Sequence, residues 1–234
     1  FLGINLFLLY GSRRGWLKGG WLWLIPLVQL VWVNVHILFV LGLCLLGIFV
    51  ADSFLTEGWG RKTRTLAAVG AASVVASCLN PFGVAGLLAP FNIFKSYGYQ
   101  LAENQTVFFM MKRFPGDPLY GYTLALLLFV ALLLVLRVAK ERSWRAIFLH
   151  AALFVLFGLM AVKTVRAITM FGLFFIPLAA ENWERGIALY AGRWQGVLRR
   201  MTLIAAAGLI LLAAVVPGFY LSPLRRYFPL IDDP

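Results

Sequence analysis

The residues able to do chemistry in this chain are a few polar side chains set in apolar surroundings. Asn34 and His36 lie at the middle of residues 21–51, where Gln29 is the one other strongly polar side chain. An amide or imidazole facing hydrocarbon costs on the order of a few kcal/mol, so both are expected to face a bundle interior or a wet cavity. Such a pair either lines a binding site or holds helices together by hydrogen bonds. Positions i and i+2 of a regular helix point about 200° apart, so convergence on one ligand requires a break in the helix there. Lys163 and Arg166 form a second pair, three residues apart in a short turn between apolar segments. Arg supplies a planar fork of donors and Lys a point charge, which together suit a phosphate or pyrophosphate headgroup. The alternative is that both side chains snorkel to ordinary phospholipid headgroups.

The elements that must position these groups are transmembrane helices. The chain is 62% hydrophobic and 13% charged, with a mean hydropathy of +0.88, a balance that excludes an ordinary soluble domain. The expected fold class is all-α: a polytopic transmembrane helix bundle with broken or re-entrant helices and interfacial amphipathic helices. Residues 1–234 read as a single transmembrane domain, expected to be the later part of a longer membrane protein because residues 1–10 read as a span already in progress. The net charge of +12 sits mainly in loops between apolar runs. It therefore reads as membrane topology and phospholipid contact, with no nucleic-acid partner. Cys44 and Cys78 read as buried small hydrophobes. No His/Cys cluster has metal-ligand spacing, and no cofactor is called for; a divalent metal has no ligand set to support it.

Taken in order, residues 11–20 and 53–64 are basic loops. Placing both on the cytoplasmic side makes residues 21–51 a hairpin hinged near Asn34. The run 65–79 is rich in small residues and closes at Asn80-Pro81-Phe82-Gly83, giving a kinked or re-entrant element. Residues 92–118 read as an extracytoplasmic interfacial loop rich in aromatics, with Glu103 near its centre. Spans follow at 120–136, 146–162, 167–180 and 201–220. Residues 181–200 carry apolar positions at helical spacing and read as a cytoplasmic amphipathic helix. On this topology Lys163 and Arg166 lie on the outer side, against the orientation rule. That misplacement is what marks them as ligand candidates.

Trp32-x-Asn34-x-His36 opening a Gly/Leu-rich helix, Asn80-Pro81-Phe82-Gly83 closing a later one, and Arg166 before an apolar helix ending in Pro177 resemble bacterial membrane glycosyltransferases of the GT-C superfamily. The likeness is to those similar to dolichyl-phosphate-mannose protein mannosyltransferases, and it covers residues 21–180. It implies a many-helix fold in the bacterial cytoplasmic (inner) membrane, a polyprenyl-phosphate sugar donor and transfer to an extracytoplasmic acceptor of unknown identity. It also implies a catalytic carboxylate in a first outer loop that these residues do not contain. The family commonly follows the His with a Gly pair, where this chain has Ile37-Leu38. The catalytic base is therefore unassigned, with Glu103 a secondary candidate. In the resulting scheme Lys163 and Arg166 hold the donor phosphate while Asn34 and His36 orient the sugar or the phosphate. The competing expectation is a non-catalytic transporter or scaffold subunit, since broken helices with polar residues at the midplane also serve transport.

Overall fold

The computed structural model describes residues 1–92 and 102–215. Among them there is no strand. The helices are α1 (Leu2–Arg13), α2 (Leu24–Val35), α3 (Val40–Glu57), α4 (Arg61–Cys78), α5 (Gly83–Asn92), α6 (Val107–Arg113), α7 (Pro118–Glu141), α8 (Phe148–Lys163), α9 (Ile168–Tyr190) and α10 (Gln195–Val215). Three helical segments, Ile37–Glu57, Pro118–Glu141 and Val165–Tyr190, are long and apolar enough to cross a membrane. A fourth crossing results if α4 and α5, bent by 103°, count as one span. The protein is an integral membrane protein with an all-helical fold.

The surface pattern follows from that solvent. On α7, Leu128, Leu132 and Val135 are more than half exposed and recur along one face, while Leu127, Val130, Leu134 and Arg137 are buried on the other. Hydrocarbon accepts the first face at no cost, so apolar residues cover both sides of the helix and only the polar ones report which side is inward. Across α8 and α9 the core is aromatic, with Phe157 and Phe174 stacked at 3.7 Å between ring centroids.

Each helix boundary has a local cause. α2 stops at Val35 because His36 is extended (φ −154°, ψ 134°), and its Nδ1 accepts from the Leu38 amide to cap a 3-10 turn, Ile37–Phe39. The chain then reverses into α3. α3 continues to Glu57, past the boundary expected near residue 51, since Asp52 is paired with Arg13 and Ser53 shares a 2.8 Å hydrogen bond with Thr63. At the end of α4, Asn80 donates to the carbonyls of Ser77 and Gly83 and accepts from the Phe82 amide. With Gly83 at φ +54°, these bonds build the bend toward α5. α7 begins with Pro118 behind an Asp117 cap.

One expectation changes. Residues 181–200 do not form a separate surface helix: α9 runs without a break through Glu181 and Asn182, both held by partners inside the fold, and ends at Tyr190 before Gly192 at φ +48°. The later part of the expected segment belongs to α10. The chain divides into two compact units, residues 1–182 and 183–234. In the second unit Arg199 pairs with Glu184 at 3.1 Å and Trp183 Nε1 donates to Thr202. The expected interfacial segment 92–118 contains α6, whose Val107 and Met110 pack on Tyr120 while Phe108, Phe109 and Phe114 stay exposed. Its residues 93–101, like the end of the expected span 201–220, lie outside the described residues.

Helices approach closely at Gly42. A Cβ there would stand 2.5 Å from Gln29 Oε1 and 3.0 Å from Asn5 Nδ2. Gln29 cannot withdraw, because its Nε2 donates to Phe39 O at 2.9 Å and to Ser77 Oγ at 3.1 Å, tying α2, α3 and α4 together. Gly42→Ala should destabilise the protein by about 1–3 kcal/mol, the range for overpacking a dense interior. Thermal unfolding in detergent checks this, with Gly47→Ala, where a Cβ meets open space, as the near-neutral control.

Candidate functional site

The reversals give the first unit two chemically different ends. At one, hereafter the basic end, Arg13 Nε donates to Asp52 Oδ2 at 3.0 Å, Arg14 pairs with Glu181 at 2.9 Å and Lys62 with Glu57 at 3.1 Å. These pairs gather the C-termini of α1 and α3, the start of α4 and the polar stretch of α9. Helix direction then puts the α2–α3 and α8–α9 reversals at the opposite end, together with every candidate read from the sequence.

At that opposite end, Lys163 closes α8 and Arg166 lies in the 3-10 turn Val165–Ala167 that leads into α9. Thr164 between them is extended (φ −141°, ψ 124°), so the two cations flank a break and not one helical face. Arg166 Nη1 lies 3.2 Å from Glu103 Oε1, with both side chains about half exposed. The Val165 amide donates to Gln105 O at 3.0 Å, a backbone tie that keeps Glu103 beside the break. Lys163 is exposed and has no ion-pair partner among the described residues. The N-terminal end of the α9 dipole adds to this positive end.

Asn34 and His36 sit at the tip of the other reversal. Of the two surroundings expected for them, bundle interior or wet cavity, the interior is corrected: both are exposed, because the break turns the chain there and carries them to the end of the bundle. Asn34 Nδ2 donates to Leu30 O at 2.8 Å and to Leu79 O at 3.0 Å, latching the C-terminus of α2 to that of α4. Its job is therefore at least structural. No hydrogen bond or ion pair among the described residues joins Asn34 or His36 to Lys163, Arg166 or Glu103. The structure brings Glu103 to Arg166 and leaves the Asn34/His36 pair at a separate reversal on the same end.

The polar group that sequence reading missed is buried at the basic end. Arg137, 5% exposed, donates through Nη1 to Asn182 Oδ1 at 2.6 Å and to His150 Nδ1 at 3.1 Å. Its Nη2 reaches Glu141 and the Ala146 carbonyl, each at 3.3 Å. A guanidinium has no acceptor, so His150 Nδ1 must present its lone pair and the imidazole carries its proton on Nε2. That atom faces Glu181 Oε2 at 3.4 Å, a long contact on the carboxylate that Arg14 holds more closely. The signal available in the sequence was the i, i+4 pairing of Arg137 with Glu141. Among the described residues no three His, Cys, Asp or Glu side chains converge as a metal site.

No family profile, curated protein or solved structure matches this chain.

Removing one member of a buried ionic group leaves its partners without compensation. Arg137→Ala should cost about 3–5 kcal/mol, and Arg137→Met with Glu141→Met should recover part of that loss. Unfolding midpoints in detergent for the two variants measure the difference. Equal midpoints for wild type and Arg137→Ala would show that the network is not structural.

Proposed function

We propose that this chain belongs to a membrane glycosyltransferase of the GT-C type and that its α8–α9 break holds the phosphate of a polyprenyl-phosphate sugar donor. The observation that carries this reading is the pair of cations flanking the break, with Lys163 lacking an ion-pair partner and Arg166 paired with one exposed carboxylate among the described residues. An exposed Arg–Glu pair is worth at most about 1 kcal/mol, so a phosphate can displace Glu103 from Arg166. A bidentate guanidinium contact and a lysine point charge would bind the lipid phosphate and stabilise charge developing on it as the glycosidic bond to the sugar breaks. The exposed aromatics of α6 lie beside the same end and suit the membrane interface, where a polyprenyl chain enters. Glu103 serves here as the displaceable partner of Arg166, leaving the base that activates the acceptor unassigned. The membrane on this reading is the bacterial inner membrane, with the basic end cytoplasmic and the donor taken from the outer side.

One observation favours a second reading, transport. The reversal α2–His36–(Ile37–Phe39)–α3 and the reversal α8–Thr164–(Val165–Ala167)–α9 share one design: a short apolar helix, one extended residue, a three-residue 3-10 turn and a spanning helix. Paired interrupted segments are what transporters place around a substrate.

The deciding experiment uses the full-length protein in vesicles and follows radiolabelled sugar leaving a panel of polyprenyl-phosphate donors. Arg166→Ala and Lys163→Ala should each lower transfer by about tenfold or more, the scale of one charge-assisted contact in the transition state. Glu103→Gln should tighten donor binding. Transfer that is indifferent to Arg166 would overturn the assignment, and donor movement across the vesicle without sugar transfer would favour transport.

A further inference from the structure

A cavity of about 250 Å³ opens at the basic end between α1, α3 and α4, far along the helices from the α8–α9 break. Its mouth carries Arg13, Asp52, Glu57 and Lys62, two cations and two carboxylates. One turn deeper on the same three helices its wall is apolar, formed by Leu9, Phe49 and Leu66. A cavity that is charged at the headgroup level and apolar toward the membrane matches an amphiphile that enters with its tails inward.

The charge arrangement narrows the class further. Asp52, with its side chain 6% exposed, takes the Arg13 Nε and fixes the guanidinium plane. The Arg13 terminal nitrogens keep no protein partner among the described residues, so a pre-oriented fork remains for an oxyanion. Asp52 Oδ1 is itself buried without a hydrogen bond, so negative charge remains uncompensated beside that fork. Lys62 is shared with Glu57, whose side chain is about half exposed and accessible to a cation. Because the four mouth charges sum to zero, a purely anionic headgroup would meet two carboxylates along with the two cations. A zwitterion satisfies both signs. General attraction for anionic lipid is instead supplied by the exposed Arg61 and Arg64 outside the cavity.

We infer that this cavity is a binding site for a zwitterionic aminophospholipid, with the headgroup phosphate on Arg13 and Lys62 and its primary ammonium on Glu57. A primary ammonium both pairs with the Glu57 charge and donates hydrogen bonds to it, whereas a quaternary choline headgroup offers the charge alone, so ethanolamine is the better fit. The site stands apart from the proposed donor site and does not depend on it.

The test titrates full chain in detergent with phosphatidylethanolamine, its stepwise N-methylated derivatives, phosphatidylcholine and phosphatidylglycerol, reading bound lipid by native mass spectrometry. Ethanolamine lipid is expected to bind at least tenfold more tightly than choline lipid, with affinity falling as methyl groups are added. Glu57→Gln, an exposed change that keeps the fold, should abolish that preference and tighten phosphatidylglycerol binding, because one carboxylate leaves the mouth and Lys62 is freed for phosphate. Arg13→Lys, which retains a charge for Asp52 but removes the fork, should weaken all phosphate lipids. Equal binding of ethanolamine and choline lipids, or a preference untouched by Glu57→Gln, would overturn the site. Soluble phosphoethanolamine competing as well as the lipid would overturn its assignment to a membrane amphiphile.

Discussion

The arrangement of the first unit depends on the burial of one guanidinium. Taking Arg137 out of water costs several kcal/mol unless its donors are matched, and the fold matches its two terminal nitrogens, though not the buried Nε, with groups from three helices: Glu141 on α7, His150 on α8 and Asn182 on α9. None of these helices has another way to satisfy that charge, so their relative depth and rotation are tied at this point. His150 then passes the constraint to Glu181, and Glu181 to Arg14 at the end of α1. Apolar packing between membrane helices is weakly directional, since lipid competes for the same surfaces. A polar chain of this kind supplies the register that packing alone leaves loose.

The opposite end is held by different means. Its ties are backbone caps and side-chain amides: His36 on the Leu38 amide, Asn34 on two carbonyls, Asn80 around the α4–α5 bend, Val165 on Gln105. Each satisfies a polar group freed where a helix breaks, which hydrocarbon requires. The ion pair at that end, Arg166 with Glu103, is exposed and correspondingly weak. The molecule thus combines an end fixed by buried charge with an end where charge is available to exchange partners.

How much of this was legible in the sequence follows from what each signal measures. Hydropathy gave the membrane class and a span at 120–136, which lies within the helix Pro118–Glu141, because length and apolar content are what lipid selects. The basic loops at 11–20 and 53–64 called for a reversal between them, and the chain does reverse at His36. The same reasoning put Asn34 and His36 at mid-membrane facing inward, since it counted residues along the run without fixing where the turn falls. Helix ends misled where a polar residue was read as leaving the membrane. Asp52, Arg137 and Glu181 all looked like boundary residues, yet each lies within its helix, because a partner on another helix satisfies it. A single sequence shows the polar residue and conceals the partner.

That concealment also accounts for the uneven reading of the candidate sites. Lys163 and Arg166 stood out because, on the topology read from the basic loops, they break the orientation rule, a property each residue carries in its own position along the chain. The cavity at the basic end leaves no such mark: Arg13 and Lys62 are ordinary members of basic loops, and Glu57 and Asp52 ordinary acids beside them. What distinguishes them is that Asp52 fixes Arg13 through one nitrogen and frees the others, an arrangement between α1 and α3 spaced 39 residues apart. Charge that violates topology is visible in one dimension. Charge that is organised by a buried partner becomes visible only when the helices are assembled, and it is the latter kind that can discriminate between headgroups of similar size.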